Sequence, residues 1–341
     1  MKYVFLLSKE DIKLAKEEAL SLLDVRRSRL VHNLLFLDLD NIELSNRLAY
    51  TRKVYQFLFE TNKKDLIKKI KDFDWESVYK RDFSVRVHKL EEDSGNIPKE
   101  RDLAAYIWRK LKKPKVNLSN PKTRVVFLIG KNKVYALKLV IALTHTFESR
   151  KAHKRPKLHP SAMNPKLARC IVNLTGARKE VMDPFCGAGG ILIEAGLMGI
   201  KPIGCDLYKE MVDRAKINLD YYKIKGYKLV NQDALNIKRK YDYVVTDLPY
   251  GLNTSIWVKT NNKNKKISLK QTDNNQRIKN LEDFYLKFLK NLRKIMGKKG
   301  VVISPHYVDY RKLVKKAGFT LEKEFSQYIH GSLTRKILVL S

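Results

Sequence analysis

Between residues 183 and 251, four short stretches set an aspartate at the end of an apolar run. They read Asp183-Pro184-Phe185-Cys186-Gly187-Ala188-Gly189-Gly190, then Gly204-Cys205-Asp206, then Asn231-Gln232-Asp233-Ala234, then Thr246-Asp247-Leu248-Pro249-Tyr250-Gly251. Glycines after a strand let the backbone turn sharply and approach a ligand closely. The first spacing is not GxGxxG, and its leading aspartate would repel a pyrophosphate. A carboxylate there suits an ammonium group instead. Asp206 comes roughly twenty residues later, the position from which an acid bonds ribose hydroxyls. Asp233 ends the next apolar run and can accept from an exocyclic adenine amine. Taken singly, each aspartate reads equally well as a helix N-cap. Three in register at strand ends fit one ligand with an amino-acid end, a ribose and an adenine: S-adenosylmethionine (SAM).

The fourth stretch suits the acceptor of a methyl group. An exocyclic aromatic amine is a poor nucleophile, because its lone pair is delocalised into the ring, so the site must hold it beside the methyl. Asp247 can accept one N–H, and the carbonyl of Leu248 or Pro249 can accept the other, favouring charge that builds on nitrogen. Pro249 stiffens the loop at fixed φ. Tyr250 offers a face on which a base can stack. A plain turn with an aspartate cap is the simpler alternative.

These residues need strands to present them. From Glu180 onward, strand and helix patterns alternate, which predicts a mostly parallel, doubly wound sheet of Rossmann type. Its last two strands, near 319–327 and 334–341, are joined by a short connection and should form an antiparallel edge pair. Residues 1–147 read as a separate basic α/β module. Strands are expected at 2–8, 83–90, 122–129 and 134–143, and helices at 11–23, 44–58 and 99–111. Residues 148–165 are dense in charge and proline, and read as a linker or ordered arm. Asn164-Pro165 is an N-cap followed by a first-turn proline. Residues 251–279, rich in Lys, Asn and Gln, are expected to form a lid that orders with substrate.

Charge narrows the partners. Lys and Arg number 70 against 36 Asp and Glu, a formal net of +34 with a pI near 9.9. Such an excess calls for a polyanion, and phosphate backbones are the usual one. No basic amphipathic helix suggests a membrane surface, and no apolar run approaches a bilayer span. The start of the chain lacks the features of a signal peptide, so a cytoplasmic protein is expected. The three cysteines, Cys170, Cys186 and Cys205, include no CxxC pair, and the seven histidines no HxxxH pattern, so no metal site is expected.

DPFCGAGG, GCD, NQDA and D-x-P-Y resemble the motifs of Rossmann-fold, SAM-dependent methyltransferases acting on exocyclic amines of nucleic acids. RPKLHPSAMNPKLARCIVNL and the terminal SLTRKI resemble the THUMP-containing RNA methyltransferases, most nearly the archaeal group that modifies guanosine-10 of tRNA at N2. The resemblance covers nearly the whole chain. It implies a ferredoxin-like/THUMP RNA-binding region over 1–147, a linker over 148–165 and a methyltransferase domain over 166–341. It implies SAM contacts from Asp183, Phe185, Cys186, Gly187, Gly189, Asp206, Asp233 and Ala234, and a catalytic loop of Asp247, Pro249 and Tyr250. tRNA is the implied substrate, and a monomer is expected. His159 and Pro160 are expected near the methionine end of SAM, and Arg335 either faces RNA or forms a salt bridge. The sequence departs from the broad Asp/Asn-Pro-Pro-Tyr/Phe pattern at Leu248, which keeps the carbonyl but loosens the loop.

Rival readings keep the chemistry and change the acceptor: another tRNA guanosine, an rRNA guanosine, or a flipped adenine in DNA. Pyrimidine C5 attack would need a cysteine nucleophile near the loop, and Cys186 lies inside the glycine-rich turn. A non-catalytic RNA-binding protein would bind nucleic acid without SAM, and would not need the aspartate set.

Overall fold

The computed structural model describes residues 1–92, 94–96, 98–158, 163–250, 256–260, 263–267, 274–331 and 333–341. The chain divides into two compact units. One comprises Met1–Ile12, Val25–Asn46 and Thr51–Thr144; the other comprises Lys13–Asp24, Arg47–Tyr50 and His145–Ser341.

In chain order the elements that build the first unit are β1 (Lys2–Leu7), β2 (Arg29–Val31), β3 (Leu34–Asp38), β4 (Thr51–Asn62), β5 (Phe83–Lys89), β6 (Thr123–Ile129) and β7 (Lys133–Ala142). They form one sheet ordered β2-β3-β1-β4-β7-β6-β5, antiparallel except for the β5–β6 pair. Helix α1 (Ile12–Leu23) follows β1 in the chain, and α2 (Leu66–Asp72) and α3 (Glu100–Trp108) follow β4 and β5. Phe59, Trp75, Phe83 and Phe127 are buried together with Ile70 of α2 and Leu103 and Ile107 of α3. The helix expected over 44–58 is not there. A short 3₁₀ turn, Glu43–Arg47, leads into β4, which pairs with both β1 and β7. Val54, Tyr55, Phe57 and Phe59 are β-branched or aromatic, and two flanking strands outweigh a helix-like spacing of apolar residues.

The second unit carries β8 (Glu180–Asp183), β9 (Lys201–Asp206), β10 (Lys228–Asn231), β11 (Tyr241–Asp247), then β12 (Ile256–Thr260) and β13 (Lys263–Ile267), and finally β14 (Met296–Pro305), β15 (Leu321–His330) and β16 (Leu333–Leu340). Seven of these form a sheet ordered β10-β9-β8-β11-β14-β16-β15. The first five run parallel, and β16 and β15 form the expected antiparallel edge. The strand order reverses between β8 and β11, which is where a doubly wound sheet opens a crevice for ligands. β12 and β13 pair antiparallel with each other. They fall inside the stretch expected to form a lid, of which residues 251–255, 261–262 and 268–273 lie outside the described residues.

Helices α4 (Pro165–Thr175), α5 (Gly190–Leu197), α6 (Lys209–Tyr221), α7 (Asn274–Ile295) and α8 (Tyr310–Lys316) belong to this sheet. Asn164 accepts from Lys166 N at 2.9 Å and caps α4, which ends at Gly176 in the left-handed region (φ 76°). Tyr285, Phe288 and Leu292 of α7 pack with Met182, Val244, Val302 and Leu338 from four strands. Burying a side chain of the size of Phe288 contributes about 2–3 kcal/mol. Leu192 and Ile193 of α5 pack with Ala215 and Leu219 of α6.

Two buried carboxylates tie outlying segments into this unit. Glu194 of α5 accepts from Arg150 Nε (2.6 Å) and Arg169 Nε (2.9 Å). Arg150 lies at the start of the stretch read as a linker or arm, so that start is docked. Glu18 of α1 accepts from the backbone N–H groups of Ala49 and Tyr50 and from Asn173 Nδ2, at 2.7–2.8 Å. Buried charge is tolerated only with such partners.

Candidate active site

The acidic stretches stand at the carboxyl ends of adjacent strands. Asp183 ends β8, Asp206 ends β9, Asp233 follows β10 and Asp247 ends β11. Asp183 is fully buried, and its Oδ1 accepts from Thr246 Oγ1 (2.8 Å) and from Phe185 N (3.1 Å). Burial pushes its carboxyl up to about 7, against the pull of those two donors. It is therefore poised to ionise near neutrality, where a cationic partner would hold it charged.

The turn after β8 is shaped by its glycines. Gly187 and Gly189 both have positive φ, 51° and 83°. A Cβ on Gly189 would stand 3.2 Å from Ala215 Cβ on α6, whereas one on Gly187 would meet nothing within 4 Å. Gly187 thus lies against open space, with its N–H donating to Asp206 Oδ2 at 2.9 Å. Asp206 Oδ1 accepts from Tyr208 N at 3.0 Å. Asp233 Oδ1 caps the 3₁₀ turn Ala234–Asn236 by accepting from Leu235 N at 2.9 Å, and Ala234 is buried. For Asp233 the capping role is real, and its second oxygen remains for a ligand. Phe185 is half-buried, with its ring edge-on to Phe284 and Phe288 of α7. Cys186 is buried, and burial raises its thiol well above its ordinary value, which suits packing and not nucleophilic attack.

The loop after β11 is held by side chains from elsewhere. Tyr250 Oη donates to Asp247 Oδ1 at 2.7 Å and accepts from Arg335 Nε at 2.6 Å. Arg335 Nη2 stands 3.5 Å from Asp247 Oδ2. Tyr285 Oη donates to the Pro249 carbonyl at 2.8 Å, and Tyr307 Oη to the Tyr250 carbonyl at 2.5 Å. Burial raises the Asp247 carboxyl, opposed by Arg335 and Tyr250. Burial and the neighbouring Asp247 raise the Tyr250 phenol, so it stays protonated and can donate.

The structure thus gathers Asp183, Gly187 and Asp206 into one bonded turn, with Asp183 joined through Thr246 to the strand that carries Asp247. Asp233 and Ala234 lie one strand further out. His159 and Pro160 lie outside the described residues. Thr246, Tyr285 and Tyr307 were not singled out by sequence reasoning. Thr246 opens the Thr246–Gly251 stretch and was the accessible clue, whereas the tyrosines are tied to the loop only by tertiary folding. Among the described residues no group of three or more His, Cys, Asp or Glu could hold a metal ion. No described helix is long and apolar enough to cross a membrane.

Residues 152–264 match the family model for the RMKL-like methyltransferase domain, UPF0020. The chain is 33% identical over 304 residues to the tRNA (guanine(10)-N2)-dimethyltransferase of Methanothermobacter thermautotrophicus, covering 87% of this chain and 84% of that protein. It is 29% identical over 320 residues to the enzyme of the same name from Pyrococcus abyssi, covering 89% and 87% respectively. A tRNA (guanine(6)-N2)-methyltransferase of Methanocaldococcus jannaschii is 24% identical, covering 86% of this chain and 84% of that one. The chain belongs to the tRNA (guanine(10)-N2)-dimethyltransferase family.

Proposed function

We propose, from that membership and from the site, that the residues at the strand ends transfer methyl groups from SAM to N2 of guanosine-10 in tRNA. The chain is a SAM-dependent methyltransferase, and tRNA is its substrate. The observation that carries the assignment of roles is the placement, at the carboxyl ends of the adjacent strands β8 and β11, of the open glycine turn bonded to Asp206 beside the Asp247–Tyr250 loop.

SAM supplies an electrophilic methyl on a sulfonium centre. The residues present fit it. Asp183, a buried acid that titrates near neutrality, gains an ammonium partner. Asp206, which ends β9 and accepts from the N–H of Gly187 in the turn, would meet the ribose hydroxyls, and Asp233 Oδ2 would take the adenine amine. Gly187 leaves the space that a Cβ would fill, and Phe185, Cys186, Gly189 and Ala234 shape the walls. On the acceptor side Asp247 accepts one N–H of the guanine amine. The Pro249 carbonyl is already engaged by Tyr285, so we assign the second N–H to the Leu248 carbonyl. These acceptors stabilise the positive charge that grows on N2 as the methyl arrives. The Tyr250 ring stacks the base.

We assign Met1–Thr144, apart from the segments that belong to the second unit, to a THUMP-type RNA-binding module. The excess of basic residues supports that role, as phosphate contacts supply most of the affinity for tRNA. A cytoplasmic monomer is the form we propose. The related guanosine-6 enzyme makes another tRNA guanosine the second reading.

Labelled SAM and unmodified tRNA transcripts test this reading, with nucleoside analysis of the digest and mapping of the label. We expect N2-methylated guanosine at position 10. Label at guanosine-6 would move the substrate assignment, and label in another nucleoside would remove it.

A further inference from the structure

The loop after β11 is closed by a ring of three side chains. Tyr250 Oη donates to Asp247 Oδ1, Arg335 Nε donates to Tyr250 Oη, and Arg335 Nη2 faces Asp247 Oδ2 at 3.5 Å. Arg335 is only 8% exposed, so its guanidinium is not a surface cation. It lies on β16 opposite Pro305, the last residue of β14, so sheet register and not the loop sets its place.

We propose that Arg335 is a positioning residue for methyl transfer, holding the Tyr250 hydroxyl and the Asp247 carboxylate in one chain so that the guanine amine meets a charged acceptor and a fixed ring. A phenol has a single proton. With Nε donating into Oη, that proton is directed at Asp247, and the ring can no longer turn away. Preorganised acceptors of this kind need no rearrangement when charge develops. The groups that face Asp247 are Tyr250 on its own loop, Arg335 from β16, Asp183 from β8 and Tyr285 from α7, with Tyr307 behind Tyr250. Arg335 is the cation among them, and it opposes the effect of burial on Asp247. The buried position inside the ring argues against a phosphate contact. The inference rests on the assignment of Asp247 as the acceptor of a base N–H.

The test is single-turnover transfer to tRNA across pH for the full chain and for Arg335→Met, Arg335→Lys and Tyr250→Phe, with SAM and tRNA binding measured alongside. We expect Arg335→Met to slow transfer about 10–100-fold with both binding constants little changed. Its acid limb should move to higher pH, because the carboxyl loses its cation. Arg335→Lys should return the limb without the full rate, since lysine lacks the planar fork. Should Arg335→Met lose SAM binding through misfolding, Tyr250→Phe carries the test: it should slow transfer about tenfold. A wild-type rate in Tyr250→Phe, or in Arg335→Met with an unmoved limb, overturns the inference. Weaker tRNA binding at an unchanged rate in Arg335→Met overturns it too, and makes Arg335 an RNA contact. Asp247→Ala separates the two layers: if it is inactive, a wild-type Arg335→Met sinks this inference alone, whereas full activity in Asp247→Ala sinks the loop assignment beneath it.

Discussion

At the ends of β9 and β10 the aspartates bond to backbone N–H groups: Asp206 to Gly187 and Tyr208, Asp233 to Leu235. At the end of β11, beyond the Tyr250–Asp247 bond inside the loop, the bonds run to side chains 36 to 85 residues further along the chain, namely Tyr285, Tyr307 and Arg335. The first half is shaped by a glycine-rich turn and by acids bonded to backbone N–H groups no more than 19 residues away, with Asp183 alone reaching further, to Thr246. The second is assembled by the sheet and α7 together. Cofactor binding and methyl transfer should therefore come apart under mutation, because different parts of the fold maintain them.

The largest expected effect is at Asp247. Asp247→Ala should reduce transfer ~1,000-fold or more while SAM binding, measured by calorimetry, stays near wild type. A parallel loss of SAM affinity would merge the two halves. Next comes Asp183, whose carboxyl burial raises from 3.8 to about 7. For an acid raised on folding, the associated stability is full below its unfolded value and is lost as pH rises through the folded one. Asp183→Asn escapes that loss, so its thermal midpoint should gain on the wild type between pH 5 and pH 8 without SAM. The same variant should bind SAM more than about tenfold more weakly at pH 8. A constant gap in midpoint would remove the assigned titration.

A smaller effect is expected at Gly189, where φ is 83° and Ala215 stands close. Gly189→Ala should cost about 1–2 kcal/mol of stability and weaken SAM, with transfer recovering at saturating SAM. A defect that saturating SAM does not relieve would show that the turn also serves the loop. The smallest is Tyr285→Phe, which keeps the ring in the core and deletes the bond to the Pro249 carbonyl. We expect a fewfold slower transfer, in line with about 1 kcal/mol for one hydrogen bond, and unchanged SAM affinity.

Legibility in the sequence follows the same division. The parallel strands, the antiparallel edge and the positions of Asp183, Asp206, Asp233 and Asp247 were readable because strand, turn and acid are neighbours in the chain. The two tyrosines that pin the catalytic loop were not, since Tyr285 looks like any core aromatic of an amphipathic helix and Tyr307 follows a strand with no motif of its own. Arg335 was noticed, but its partner became visible only when β16 paired with β14. The misread stretch at 44–58 has the same cause: β4 is a strand because β1 and β7 flank it. The division of the chain was hidden as well. α1 stands between two strands of the first sheet in sequence, yet Glu18 bonds to Asn173, and residues 13–24 count with the second unit.

The most direct test of the central claim removes one amine from the substrate. Inosine is guanosine without its exocyclic N2. Single-turnover transfer of labelled methyl to tRNA carrying inosine in place of guanosine-10 should give no label at that position, while binding of the tRNA stays close to that of the guanosine form. Label entering the inosine tRNA at the guanosine rate would show that Asp247 and Leu248 hold some other acceptor, and would contradict the account.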